Sequence, residues 1–94
     1  MEKYTVQNYI DILKEDGEIK EIINCNDILE KVVNHVSYNS KEIVEDTMFV
    51  CKGASFKVEY LKEAINAGVF VYISEKEYEV DIPCILVNAE LKHF

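Results

Sequence analysis

The stretch "TMFVCKGASFKVEYLKEAINAGVFVYIS", residues 47–74, decides how this chain folds. Its first five residues, Thr47 to Cys51, make a continuous apolar run too short for a helix. That is the pattern of a strand buried on both faces. Ser55 then precedes a segment over 58–67 in which Tyr60, Leu61, Ala64 and Ile65 recur at helical spacing. Gly68 stands where helices end, at a position that favours a residue without a Cβ. Residues 69–74, "VFVYIS", are a second unbroken apolar run. Strand, helix, strand in that order predicts a βαβ crossover and a partly parallel sheet.

Outward from this unit the pattern continues. "CILV", residues 84–87, follows Pro83 and reads as a last buried strand, while "EKEYEVD", 75–81, is a polar, acid-rich connection. Upstream, "KVVNHVSY", 31–38, is β-favouring and runs into turn formers, which predicts a strand. "EIKEIINC", 18–25, alternates weakly and reads as a short strand or part of a turn. "TVQNYIDILKE", 5–15, places Val6, Tyr9, Ile10 and Leu13 on one helical face, with Thr5 as N-cap and Gly17 as the stop. No repeat, low-complexity tract or linker divides the chain. The expected fold is a small three-layer α/β domain over 1–94, with a mixed or mostly parallel sheet flanked by helices.

Composition excludes several classes of function. The chain has 94 residues, ten lysines, no arginine and eighteen acids, for a net charge of −8. A nucleic-acid module needs a basic face, and arginine is the usual reader of bases, so no nucleic-acid partner is expected. A basic spot around Lys41, Lys52 and Lys57 is the local exception. No signal-peptide pattern opens the sequence, and no apolar run approaches the ~18 residues that a spanning helix needs. The expectation is therefore a cytoplasmic protein with no membrane partner. Three cysteines without C-x-x-C spacing, two of them inside apolar runs, read as reduced, structural thiols.

Catalytic patterns are missing. There is no phosphate-cradling Gly-x-x-x-x-Gly-Lys-Ser/Thr loop, and Lys52-Gly53 is not one. His35 and His93 lie near no cysteine or paired acid at metal spacing, so no metal site is expected. No serine has a base beside it in sequence. Binding is a different matter. Ligands of open α/β sheets sit outside the carboxyl ends of strands. If the strands at 31–38 and 47–51 are neighbours, the loops after them bring Tyr38, Asn39 and Ser40 together with Lys52, Gly53, Ala54 and Ser55. That set offers hydroxyls and an amide for a base or sugar, an aromatic face, a lysine for a phosphate, and a glycine where backbone can approach closely. The amides opening the helix after Ser55 would suit an anion. The same residues are also common turn formers with no ligand at all.

The block "VSYNSKEIVEDTMFVCKGASFKVEYLKEAINAGVFVYISE", followed by "IPCILVNAE", resembles the N-terminal domain of the Mur ligases, and within them the MurE type. The family pattern is Thr or Ser, any residue, Asp-Ser-Arg and a hydrophobic position, then Gly-Asp-x-Phe-Val, a Lys-Gly-like pair and an alanine-rich helix ending in Gly-Ala. It maps onto Ser37, Asn39, Ser40, Lys41 and Ile43, then 48–51, Lys52-Gly53 and 64–68. The likeness covers about residues 33 to 91. Asn39 replaces the motif's aspartate, Lys41 its arginine, and Asp46-Thr47 its Gly-Asp; Lys41 keeps the charge and loses the bidentate fork.

The resemblance implies a domain that holds the uridine nucleotide of UDP-MurNAc-L-Ala-D-Glu, with Ser40 and Tyr38 approaching the uracil and Gly53 to Ser55 lining the nucleotide site. Central and C-terminal domains of the same ligase would bind ATP with Mg2+ and the incoming amino acid. There the D-Glu carboxylate becomes an acyl phosphate that the amine attacks. The family's Gly-Thr-Asn-Gly-Lys-Thr loop does not occur in these 94 residues, so neither cofactor nor catalytic residue is expected within them. The natural chain is then expected to continue past Phe94. Two other readings stand beside this one: a stand-alone, non-catalytic binding or regulatory module on the same scaffold, and a self-contained enzyme using Cys51 or Ser40.

Overall fold

A computed structural model of the chain describes residues 3–51 and 56–88. Along it run α1 (Val6–Glu15), β1 (Ile19–Ile23), β2 (His35–Ser37), β3 (Thr47–Val50), α2 (Val58–Ala67), β4 (Val69–Ser74) and β5 (Cys84–Val87). The strands form one sheet in the order β1-β5-β4-β3-β2. Every neighbouring pair is parallel except β1 with β5, so the sheet is mixed. The β3–α2–β4 unit is the predicted crossover, its two strands side by side with Phe49 opposite Tyr72 and Val50 opposite Ile73.

The unbroken apolar strands are buried because a helix covers each face. Met48 and Val50 of β3 join Val71, Ile73, Ile85 and Val87 under α1, which contributes Val6, Ile10 and Leu13. Phe49, Cys51, Tyr72 and Cys84 point the other way, onto Leu61 and Ala64 of α2. Full burial of a side chain such as Leu61 is worth about 1.5–3 kcal/mol, and Leu61 is 0% exposed. The β4–β5 connection has no helix. Instead Tyr78, Val80 and Ile82 pack into the α2 layer, and the Tyr72 hydroxyl accepts the Tyr78 N–H at 2.9 Å. The domain is thus three layers deep, α1, sheet, α2.

Both helix ends follow the sequence signals. Thr5 caps α1 with a reciprocal pair of bonds: its Oγ1 accepts from the Asn8 N–H at 3.2 Å, and its own N–H donates to Asn8 Oδ1 at 2.9 Å. At the other end the Glu18 N–H reaches Leu13 O and the Gly17 N–H reaches Lys14 O, the paired closure of a Schellman turn. α2 ends at Gly68, whose φ of +134° lies outside the usual range of L residues.

The predicted strand at 31–38 is shortened to three residues. Val32 and Val33 leave the β3 partnership and pair with the chain entering α1: Val32 bridges Thr5, and the Val33 N–H donates to Tyr4 O at 2.8 Å. Asn34 makes the break, its N–H donating to Asp46 O. The ambiguous stretch at 18–25 resolves as β1, an antiparallel edge strand. A register shift between Ile19 and Glu21 explains why its alternation was weak.

Candidate functional site

Because β2, β3, β4 and β5 run parallel, their carboxyl ends lie along one edge of the sheet. β2 and β3 are neighbours, as the site reading requires, with Ser37 level with Phe49. Tyr38, Asn39 and Ser40 therefore leave β2 at that edge, beside the point where the chain leaves β3 through Cys51. The other four expected site residues, Lys52, Gly53, Ala54 and Ser55, lie outside the described residues, as does His93.

The loop after β2 is ordered by its own short side chains. Ser37, buried at the strand end, accepts the Asn39 N–H at 3.0 Å and donates to Asn39 O at 3.2 Å. Asn39 Oδ1 then accepts the Lys41 N–H at 2.9 Å, and Asn39 O accepts the Glu42 N–H at 3.0 Å. This is an Asx turn, in which an amide oxygen imitates a backbone acceptor. Asparagine in place of the motif's aspartate can do this without a charge. Tyr38 is 71% exposed, so its ring faces solvent at the sheet edge. Among the described residues nothing hydrogen-bonds the half-buried Ser40 hydroxyl.

The Lys41 ammonium, unlike its backbone N–H, pairs not with the Asn39 side chain but with α2. Its Nζ lies 2.7 Å from Glu63 Oε1 on α2, and hydrogen bonding to that carboxylate, reinforced by its charge, raises the lysine pKa. The basic spot expected around Lys41, Lys52 and Lys57 is accordingly one charge weaker, since Lys41 is already paired. Lys57 is the N-cap residue of α2 and makes no side-chain capping bond. Sequence reasoning missed Glu63: an acid on a helix surface gives no local sign that it pairs with a lysine 22 positions earlier. Ser37 was visible through the motif, but not its role in closing the loop.

Thiol chemistry has no support here. Cys25, Cys51 and Cys84 are free and buried. Burial pushes Cys84 up to about 12 and raises Cys51 and Cys25 as well, so the thiolate needed for nucleophilic attack is suppressed at neutral pH. Among the described residues no group of three His, Cys, Asp or Glu could hold a metal ion, and none of their helices is long and apolar enough to cross a membrane. What the edge can do is bind: an exposed aromatic face, a hydroxyl, and backbone held in a fixed turn.

No family model matches the chain. Known proteins do. It is 45% identical over 87 residues to UDP-N-acetylmuramoyl-L-alanyl-D-glutamate--L-lysine ligase of Streptococcus pneumoniae strain D39, an alignment spanning 88% of this chain and 18% of that protein. The ligase of the same description from Streptococcus mutans is 41% identical over 90 residues, 89% of this chain and 19% of the relative. The chain thus spans about a fifth of the length of these relatives. In structure it matches MurF from Acinetobacter baumannii with a TM-score of 0.69 at 17% identity, over 93% of this chain and 18% of the other. At that identity the likeness speaks for the fold alone. By sequence the chain is similar to part of these Mur ligases, and its fold is like that of part of MurF. Within that family the sequence likeness is to the MurE type, represented by the L-lysine-adding enzymes of streptococci.

Proposed function

We propose that this chain is the part of a cytoplasmic peptidoglycan-precursor ligase that holds the uridine nucleotide of UDP-MurNAc-L-Ala-D-Glu, for ATP-dependent addition of L-lysine as the third peptide residue. The observation that carries this is the 45% identity, along nearly the whole chain, to a ligase described as joining that UDP-linked dipeptide to L-lysine. In this reading Tyr38 stacks on or edges the uracil and Ser40 hydrogen-bonds it. Asn39 shapes their loop, and the segment Lys52, Gly53, Ala54 and Ser55 lines the phosphate side. The described residues do not fit ATP or Mg2+, having neither a phosphate loop nor a cluster of metal ligands. That chemistry belongs to the central and C-terminal domains with which this one would work.

An NMR amide-shift titration of the chain with UDP-MurNAc-L-Ala-D-Glu, with UMP and AMP as controls, tests the reading. Shifts centred on 38–41 and 53–55 with the uridine ligands and not with AMP are expected. Ser40→Ala should weaken the uridine interaction about five-fold, the loss of one hydrogen bond worth ~1 kcal/mol. No shift at millimolar ligand would remove nucleotide recognition from this domain and leave a scaffold-only module.

A further inference from the structure

Nine residues, 38–46, join β2 to β3 without a helix and carry the uridine-site candidates at their start. The second half of this crossover is fastened to the body of the domain. Thr47 Oγ1 donates to Val44 O at 2.7 Å and accepts the Val44 N–H at 3.2 Å. Asn34 Nδ2 donates to Glu45 O at 3.3 Å, Asp46 pairs with Lys31 at 3.1 Å, and Val44 O lies against Gly68. The first half, 38–42, is rooted at the buried Ser37 of β2, which bonds Asn39, and is shaped within itself by bonds from Asn39 to Lys41 and Glu42. Those bonds fix its shape and its start at the end of β2, and none of them reaches α2. Ser40 and Tyr38 must be placed against a ligand to within a fraction of an ångström.

The contact that joins this part of the loop to α2 is Lys41 Nζ to Glu63 Oε1. Glu63 stands on α2 next to Ala64 and two positions from Leu61, both 0% exposed, so its backbone is anchored in the core. We infer that Glu63 is a positioning residue for the uridine site, clamping Lys41 so that the loop offers Tyr38 and Ser40 in a fixed position at the carboxyl edge of the sheet. The inference rests on the uridine-binding reading above. It also accounts for the motif position held by Lys41: one hydrogen-bonded cation reaching one carboxylate needs no bidentate fork. Both side chains are partly open to solvent, 75% and 46% exposed, so the clamp adds little to global stability and its removal leaves the fold intact.

The opposing account has Lys41 as a ligand of the substrate's phosphates, with Glu63 a competitor for it. The two accounts differ in sign. Under the clamp, Glu63→Gln and Lys41→Met each weaken UDP-MurNAc-L-Ala-D-Glu about three- to five-fold, the reach of a surface ion pair. The double variant is then no weaker than either single one, and Lys41→Arg, which keeps the contact, retains wild-type affinity. In the free protein the amides of 38–41 shift in Glu63→Gln while the melting temperature stays near that of the wild type. Tighter binding by Glu63→Gln overturns the clamp in favour of direct phosphate contact. Unchanged binding, or losses that add in the double variant, overturns it as well. If wild-type protein binds no uridine ligand, the functional reading fails first and takes the clamp with it, an outcome told apart by the wild-type titration alone.

Discussion

At Gly68 two independent demands fall on one residue. Its φ of +134° is strained for any side chain, and a Cβ there would stand 2.6 Å from Val44 O and 2.9 Å from Glu45 Cα, both backbone atoms that cannot swing aside. Gly17, with φ of +69°, has nothing within 4 Å of the same added atom. The pair separates conformational strain from collision. Gly17→Ala should cost about 1 kcal/mol, the left-handed penalty alone. Gly68→Ala should cost at least ~3 kcal/mol, since strain and overlap combine where the crossover presses on the end of α2. Urea unfolding of the two variants measures both. Equal costs would mean that the crossover gives way easily, and that its seat on α2 is not fixed by this glycine.

The two helices are held in place by different means. α1 has a reciprocal cap at Thr5 and Asn8 as well as a buried face, whereas the N-cap residue of α2 contributes no side-chain bond. α2 relies on the burial of Leu61 and Ala64 against Phe49, Tyr72 and Cys84 of the sheet. Thr5→Ala should therefore cost about 1 kcal/mol in thermal or urea unfolding, while Lys57→Ala, at the corresponding position of α2, should cost far less. A comparable loss at both would show that the Thr5 cap is not a stabilising contact. The same contrast governs what sequence could reveal. α1, β3, α2, β4 and β5 were legible because each repeats one period without interruption, and the two helices close on Gly17 and Gly68. β2 was overextended because Val32 and Val33 favour strands but bond to Tyr4 and Thr5, a partnership made by tertiary structure. At the site, the placement of Tyr38 to Ser40 at the sheet edge followed from strand order. The Lys41–Glu63 contact did not, because it joins a loop to a helix face through space.

Across the molecule, stability and the proposed ligand contact fall at different strands. β4 lies at the middle of the sheet with hydrogen-bonded neighbours on both sides, and all of its residues but Phe70 are buried. β2 is three residues long, sits at the sheet margin and bonds to β3 alone. Local opening should therefore be easiest at β2, the strand from which Tyr38, Asn39 and Ser40 hang, and amides of β4 should exchange only through global unfolding. Hydrogen exchange on the free protein should show β2 amides far less protected than those of β4. A uridine ligand bridging the loops after β2 and β3 would fasten this margin to its neighbour. At ligand one hundred times its dissociation constant, a state that cannot bind while open is disfavoured by ~2.7 kcal/mol, or about 100-fold in exchange rate. The largest gain should appear in β2 whenever its opening breaks the site. Equal protection of β2 and β4 in the free protein would contradict the stability gradient. Ligand protection that appears at the α1 face and spares β2 would move the binding surface away from the carboxyl edge, to the other side of the sheet.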